Sequence, residues 1–95
     1  MEEKILVKEL YNNDDILLSM NNIFKDKLLT SINNKVKIII SFEMVSLTQF
    51  FLKDFKNFVK DYPSIYKYVI FQKVNKHYKK HIFLEENQWN NTMIY

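Results

Sequence analysis

The chain has 95 residues, a formal net charge of +3, 47% hydrophobic and 16% aromatic residues, no cysteine and no glycine. That is one domain's worth of chain with one core, and the missing cysteine excludes disulfides and thiolate metal sites. The missing glycine excludes the phosphate cradles of Rossmann and P-loop proteins, whose backbone must come close to the ligand.

The opening residues Met1-Glu2-Glu3-Lys4 carry acid, and the apolar run after them is broken at Lys8 and Glu9. This is not a signal-peptide pattern, and no stretch approaches the ~18 apolar residues of a membrane span. The chain therefore reads as soluble and cytoplasmic, with no membrane partner. Residues 4–11, KILVKELY, alternate in part and predict a strand. Asn12-Asn13-Asp14-Asp15 is a turn cluster, in which asparagine takes the positions glycine would otherwise fill. Residues 16–18 predict a short extended piece. Ser19 suits a helix N-cap, and Met20, Ile23, Phe24, Leu28 and Ile32 then form a helical stripe ended by Asn33-Asn34. A rival start at Asp14 keeps the same spacing.

Residues 36–42, VKIIISF, are β-branched, near-continuously apolar and short, as a strand buried on both faces reads. The period then switches to a helix with Leu47, Phe50, Phe51, Phe55, Phe58 and Val59 on one stripe and Lys53, Asp54, Lys56, Asn57 and Lys60 on the other side. Asp61-Tyr62-Pro63 stops it, because proline cannot donate a backbone hydrogen bond. Residues 65–74, IYKYVIFQKV, predict another strand. Asn75 suits the N-cap of a helix over 76–86, with Tyr78, His81, Ile82 and Phe83 inward. Trp89, Met93, Ile94 and Tyr95 make 88–95 a tail docked on the domain or held in an interface, since they are costly to leave in water. The alternation predicts a single small α/β domain over 1–95, about four strands with about three helices packed on the sheet. Segment 36–74 predicts a right-handed parallel crossover.

Leu17-Leu18-Ser19 opening a helix, an apolar strand ending in Ser41-Phe42, then Val45, a hydroxyl residue, an aromatic-rich helix and a strand running into Asn75 together resemble the STAS-like domains. These are relatives of the sulphate-transporter and anti-sigma-factor-antagonist fold, and the resemblance spans roughly residues 17–85. It implies a non-enzymatic regulatory module that binds another protein through the 43–50 loop and adjoining helix, with Glu43, Ser46, Thr48, Gln49 and Lys53 as contacts. It also implies a phosphoswitch at Ser46 or Thr48. The chain departs from the family at Met20, where arginine is frequent, at Ser41, where aspartate usually ends the strand, and at Gln49-Phe50, where small hydroxyl residues cluster.

A phosphate of about −2 charge at a helix N-terminus is favoured by the dipole, but an N-cap needs the same residue type at the same place, so Ser46 and Thr48 carry both readings. Lys73, Lys76, His77, Lys79 and Lys80 form the densest basic cluster. It reads as a solvated helix face, or as an anion or nucleic-acid surface such as a small phage-type inhibitor or nucleic-acid-binding protein would use. His77, His81 and Glu85 are spaced four apart, but Tyr78 stands where a zinc motif needs glutamate and the lysines repel a cation, so no metal is expected. Asp14-Asp15 and Glu85-Glu86 read as turn and surface. No Ser–His–acid or Cys–His arrangement can be assembled, so neither an enzyme nor a cofactor is expected. A homodimer is a further partner this length allows.

Overall fold

A computed structural model describes residues 3–82 of the chain. The predicted positions Phe83, Glu85, Glu86 and the 88–95 tail lie outside the described residues. In chain order the elements are β1 (Glu3–Leu6), α1 (Val7–Leu10), β2 (Ile16–Leu17), α2 (Asn22–Asn34), β3 (Ile38–Ser41), β4 (Ser46–Leu47), α3 (Gln49–Asp61), α4 (Ile65–Tyr68), β5 (Val69–Gln72) and α5 (Lys79–Ile82).

The β-branched run Ile38–Ser41 is the central strand of a parallel sheet ordered β1-β3-β5. Its register aligns Ile5 with Ile40 and Ile40 with Phe71. Ile5, Ile38, Ile40, Val69 and Phe71 are buried, while the alternate residues Ile39 and Ile70 are half-buried. Burial of the central strand on both faces is thus incomplete. β2 and β4 form a second, two-residue parallel ladder pairing Ile16 with Ser46 and Leu17 with Leu47. The architecture is α/β as predicted, but with five described strands in two parallel sheets and five helices, three of them single turns.

Aromatic packing joins the layers. Phe51 of α3 stacks on Phe24 of α2 at 6.0 Å and meets Phe42 edge-on at 6.3 Å. Phe55 meets Phe71 of β5 edge-on at 5.5 Å, and Phe42 stacks on Phe71 at 5.9 Å. Such pairs add about 0.5–1.5 kcal/mol each beyond the area they bury.

Several predicted boundaries move, each for a visible reason. The strand predicted over 4–11 ends at Leu6, and Val7–Leu10 turn into α1. Leu10 is held there by the Asn21 side-chain amide, which donates to its carbonyl at 2.8 Å. The same Asn21, not Ser19, caps α2, its Oδ1 accepting from the Phe24 N–H at 2.8 Å. Ser19 is instead fixed outside the helix, its carbonyl accepting from the Tyr11 hydroxyl. The buried stripe of α2 is Phe24, Leu28 and Ser31, with Met20 buried ahead of the cap, while Ile23 is exposed and Ile32 half-buried. The strand predicted over 65–74 begins only at Val69, because Ile65–Tyr68 form α4, tied to α5 by a hydrogen bond from the Tyr66 hydroxyl to the Ile82 carbonyl.

Asn75 starts a turn rather than a helix. Its Oδ1 accepts from the His77 N–H at 2.9 Å, its carbonyl accepts from the Tyr78 N–H, and α5 begins at Lys79. Ile82 is buried as predicted, with Tyr78 and His81 half-buried. On α3 the predicted Phe51, Phe55, Phe58 and Val59 are buried, but Phe50 is exposed and Leu52 takes its place inside.

With no glycine available, five residues hold φ between 55° and 64°: Asn12, Asn13, Lys35, Met44 and Lys73. The asparagines behave as predicted. Lys35 ends α2 in a paired arrangement in which the Lys35 N–H reaches the Ile32 carbonyl and the Val36 N–H reaches the Ser31 carbonyl. This is the Schellman pattern, which glycine usually fills.

Candidate interaction surface

In a parallel sheet the loops leaving the carboxyl ends of the strands gather along one edge, the usual location of sites in α/β proteins. Here the loop after β3, residues 42–45, leads into β4 and α3. The loop after β5 starts at Lys73. The two meet around a cavity of about 30 Å³ lined by Phe42, Val45 and Leu47 on one side and Lys73, Val74, Asn75 and Tyr78 on the other. The sequence placed candidate residues on both segments without relating them, and the fold makes them neighbours.

The loop after β3 is built from its anchors. Ser41 is fully buried, and its Oγ accepts from the Glu43 N–H at 3.4 Å. Met44 takes φ 59° to turn the chain. The Ser46 N–H then donates to the Asp15 carbonyl at 2.6 Å, starting the β2–β4 ladder. Thr48 caps α3, its Oγ1 accepting from the Phe51 N–H at 3.2 Å and donating to the Leu17 carbonyl at 2.9 Å. One hydroxyl thus caps the helix and ties it to β2, 31 residues away in sequence.

The ladder sorts its side chains. Leu17 and Leu47 point into the core, whereas Ile16 is 59% and Leu18 66% exposed. Met44, two residues before the ladder, is 75% exposed, and Phe50, the second residue of α3, is 74% exposed. These four large apolar side chains lie on or within three residues of one two-stranded ribbon, interspersed with Glu43, Ser46 and Gln49. A lone exposed leucine is ordinary, but a contiguous apolar patch with a polar rim marks interaction surfaces.

Of the predicted contacts, Ser46, Gln49 and Lys53 are exposed, and Glu43 and Thr48 are half-buried. Thr48 is engaged through its hydroxyl on both sides, as the cap reading predicts. Gln49 and Lys53 also line a separate cleft with Leu52, Lys56 and His81. In the basic cluster Lys76, His77 and Lys80 are exposed, while Lys73 and Lys79 are half-buried. His77 lies in the turn before α5 and His81 within it, so the two do not share one helix face as the spacing suggested. No three metal-ligating side chains converge among the described residues. No helix among them is long and apolar enough to cross a membrane.

The sequence reading missed Ile16, Leu18, Met44 and Phe50 as surface residues. Phe50 did carry a signal. At ~100° per residue it falls about 140° from the centre of the stripe formed by Phe51, Leu52, Phe55, Phe58 and Val59. Ile16 and Leu18 carried none, because extended apolar residues read alike whether they face the core or solvent, and nothing in the sequence marks Met44 as a positive-φ turn residue. Compared with known proteins, the chain matches no family model, no curated protein and no solved structure.

Proposed function

We propose that this chain is a small, non-enzymatic interaction module that binds another protein through Ile16, Leu18, Met44 and Phe50, rimmed by Glu43, Ser46, Gln49 and Lys53. The observation that carries this is the exposure of those four large apolar side chains on or within three residues of the β2–β4 ladder. Covering each returns roughly 1.5–3 kcal/mol of transfer free energy, the kind of anchor around which interface energy concentrates. A STAS-like regulatory role is consistent with this placement, since it uses the same strand–loop–helix segment. Ser46, exposed beside the patch, is then the residue a kinase reaches. Phosphorylation of Thr48 would remove the hydroxyl proton that Leu17 accepts, and so would loosen the loop.

The test compares parent protein with Leu18→Asp and Phe50→Asp as baits, with the same bait carrying Lys27→Gln as control. A protein recovered by parent and control and lost with both patch variants supports the reading. Identical recoveries from all four baits would sink it. Light scattering on the purified chain separates a second copy from a different partner.

A further inference from the structure

We propose a second binding site, distinct from the apolar patch: the cleft between α3 and α5 seats backbone phosphates of a nucleic acid. The cleft holds about 170 Å³ and is lined by Gln49, Leu52, Lys53 and Lys56 of α3 and His81 of α5. Lys53 and Lys56 are one helical turn apart, so their ammonium groups reach the same side of α3. No described lining residue carries a carboxylate. Asp54, the nearest acid on α3, is turned to the other side, where its Oδ2 accepts from the Met20 N–H at 3.3 Å.

The segment that reaches the cleft at His81 is itself basic. Residues 62–82 contain Lys67, Lys73, Lys76, Lys79 and Lys80, both histidines of the chain, and no aspartate or glutamate. Lys76, His77 and Lys80 are exposed on the segment that delivers His81 to the cleft. The packing of α5 on α3 thus brings Lys53 and Lys56 to one cleft with His81, which closes the basic segment. Every basic side chain here other than histidine is lysine, a compact point charge that attracts a phosphate but lacks the planar fork suited to reading a base edge. The site therefore binds backbone without sequence preference, through counterion release.

The experiment is a fluorescence-anisotropy titration of the full chain with short labelled single- and double-stranded oligonucleotides at increasing salt. Binding should be measurable at about 50 mM salt and fall steeply as salt rises. Lys53→Gln with Lys56→Gln should lower affinity about tenfold and reduce the log–log salt slope by about two. Lys27→Gln with Lys37→Gln, which removes the same charge elsewhere, should change affinity by less than about twofold if the cleft rather than net charge is responsible. Amide chemical-shift mapping on the unsubstituted protein gives a readout independent of the variants, with the shifts expected at Lys53, Lys56 and 76–82. A flat salt response, equal losses in the two double variants, or shifts confined to other surfaces would overturn the proposal. Competition by polyglutamate as strong as by unlabelled oligonucleotide would also overturn it, assigning the cleft to an acidic protein instead.

Discussion

Phe50 and Phe51 are adjacent, chemically identical and opposite in situation, which makes them a controlled experiment. Phe51 is fully buried and contacts Phe24, Phe42 and Tyr11, with ring centroids 6.0, 6.3 and 6.5 Å away. A buried phenylalanine removes ~150–250 Å² from water, worth about 4–6 kcal/mol at ~25 cal/mol/Å² as an upper bound. Truncation series place the loss nearer 3–5 kcal/mol, cavity included. A domain of this size has on the order of 5–15 kcal/mol in total. Phe51→Ala should therefore remove about a fifth or more of the stability and lower Tm by at least about 12 °C, at ~4–8 °C per kcal/mol. Phe50→Ala, at 74% exposure, should stay within about 0.5 kcal/mol of the parent. Paired urea melts with a common m-value measure both. Comparable losses in the two variants would mean that α3 is rotated from the orientation described, and the apolar patch would lose its central residue.

Three further outcomes follow from particular contacts. Thr48→Ala should cost about 0.5–2 kcal/mol by removing the α3 cap, and Thr48→Ser, which keeps the hydroxyl, should recover most of it in the same melts; an equally damaging serine would assign the effect to the lost methyl. Lys35→Gly should raise stability by about 0.5–1 kcal/mol, because glycine enters the φ 55° conformation at the α2 terminus without steric cost; a loss would mean that the lysine stem packs there. Burial raises the Tyr66 hydroxyl well above its ordinary value, and burial followed by the nearby Asp54 carboxylate raises Tyr11, partly opposed by the Asn21 N–H bond. Both folded values lie above the unfolded one, so their contribution is intact below about pH 10 and is lost as pH rises through the folded values. Urea melts stepped from neutral into alkaline pH should show stability falling more steeply in the parent than in Tyr66→Phe or Tyr11→Phe, and identical slopes would refute the linkage.

Where one local signal dominated, the sequence was readable. The run Ile38-Ile39-Ile40 reads as an interior strand and forms the centre of the sheet. The aromatic 3.6-period stripe after Ser46 and Thr48 reads as a helix; Thr48 caps it, while Ser46, the other candidate, pairs in β4. Where two residues competed for one role, tertiary contacts decided. Ser19 and Asn21 are equally good caps in isolation, and the Tyr11 hydroxyl bonded to the Ser19 carbonyl settles the matter for Asn21. Ile65–Tyr68 carry strand-like residues, and Val7–Leu10 continue a strand-like run, yet both form single helical turns. One is held by the Asn21 amide on the Leu10 carbonyl, the other by the Tyr66 hydroxyl on the Ile82 carbonyl. Propensity is too weak to outlast such ties. The α3–α5 cleft was illegible for a simpler reason, since nothing in the chain order relates Lys53 to His81.

The apolar ribbon is informative because the fold does not need it. A two-residue ladder is held by its backbone hydrogen bonds and by the one residue of each strand that enters the core, Leu17 and Leu47. The outward Ile16, and Leu18 just past the ladder, could be threonine or lysine without disturbing the ladder hydrogen bonds, at a gain in solubility. Met44 is costlier still, since it holds a φ of 59° that asparagine would adopt more readily, and its side chain is almost wholly in solvent. Four exposed apolar residues on or within three residues of one ladder are what the proposed interaction would account for and the requirements of folding do not.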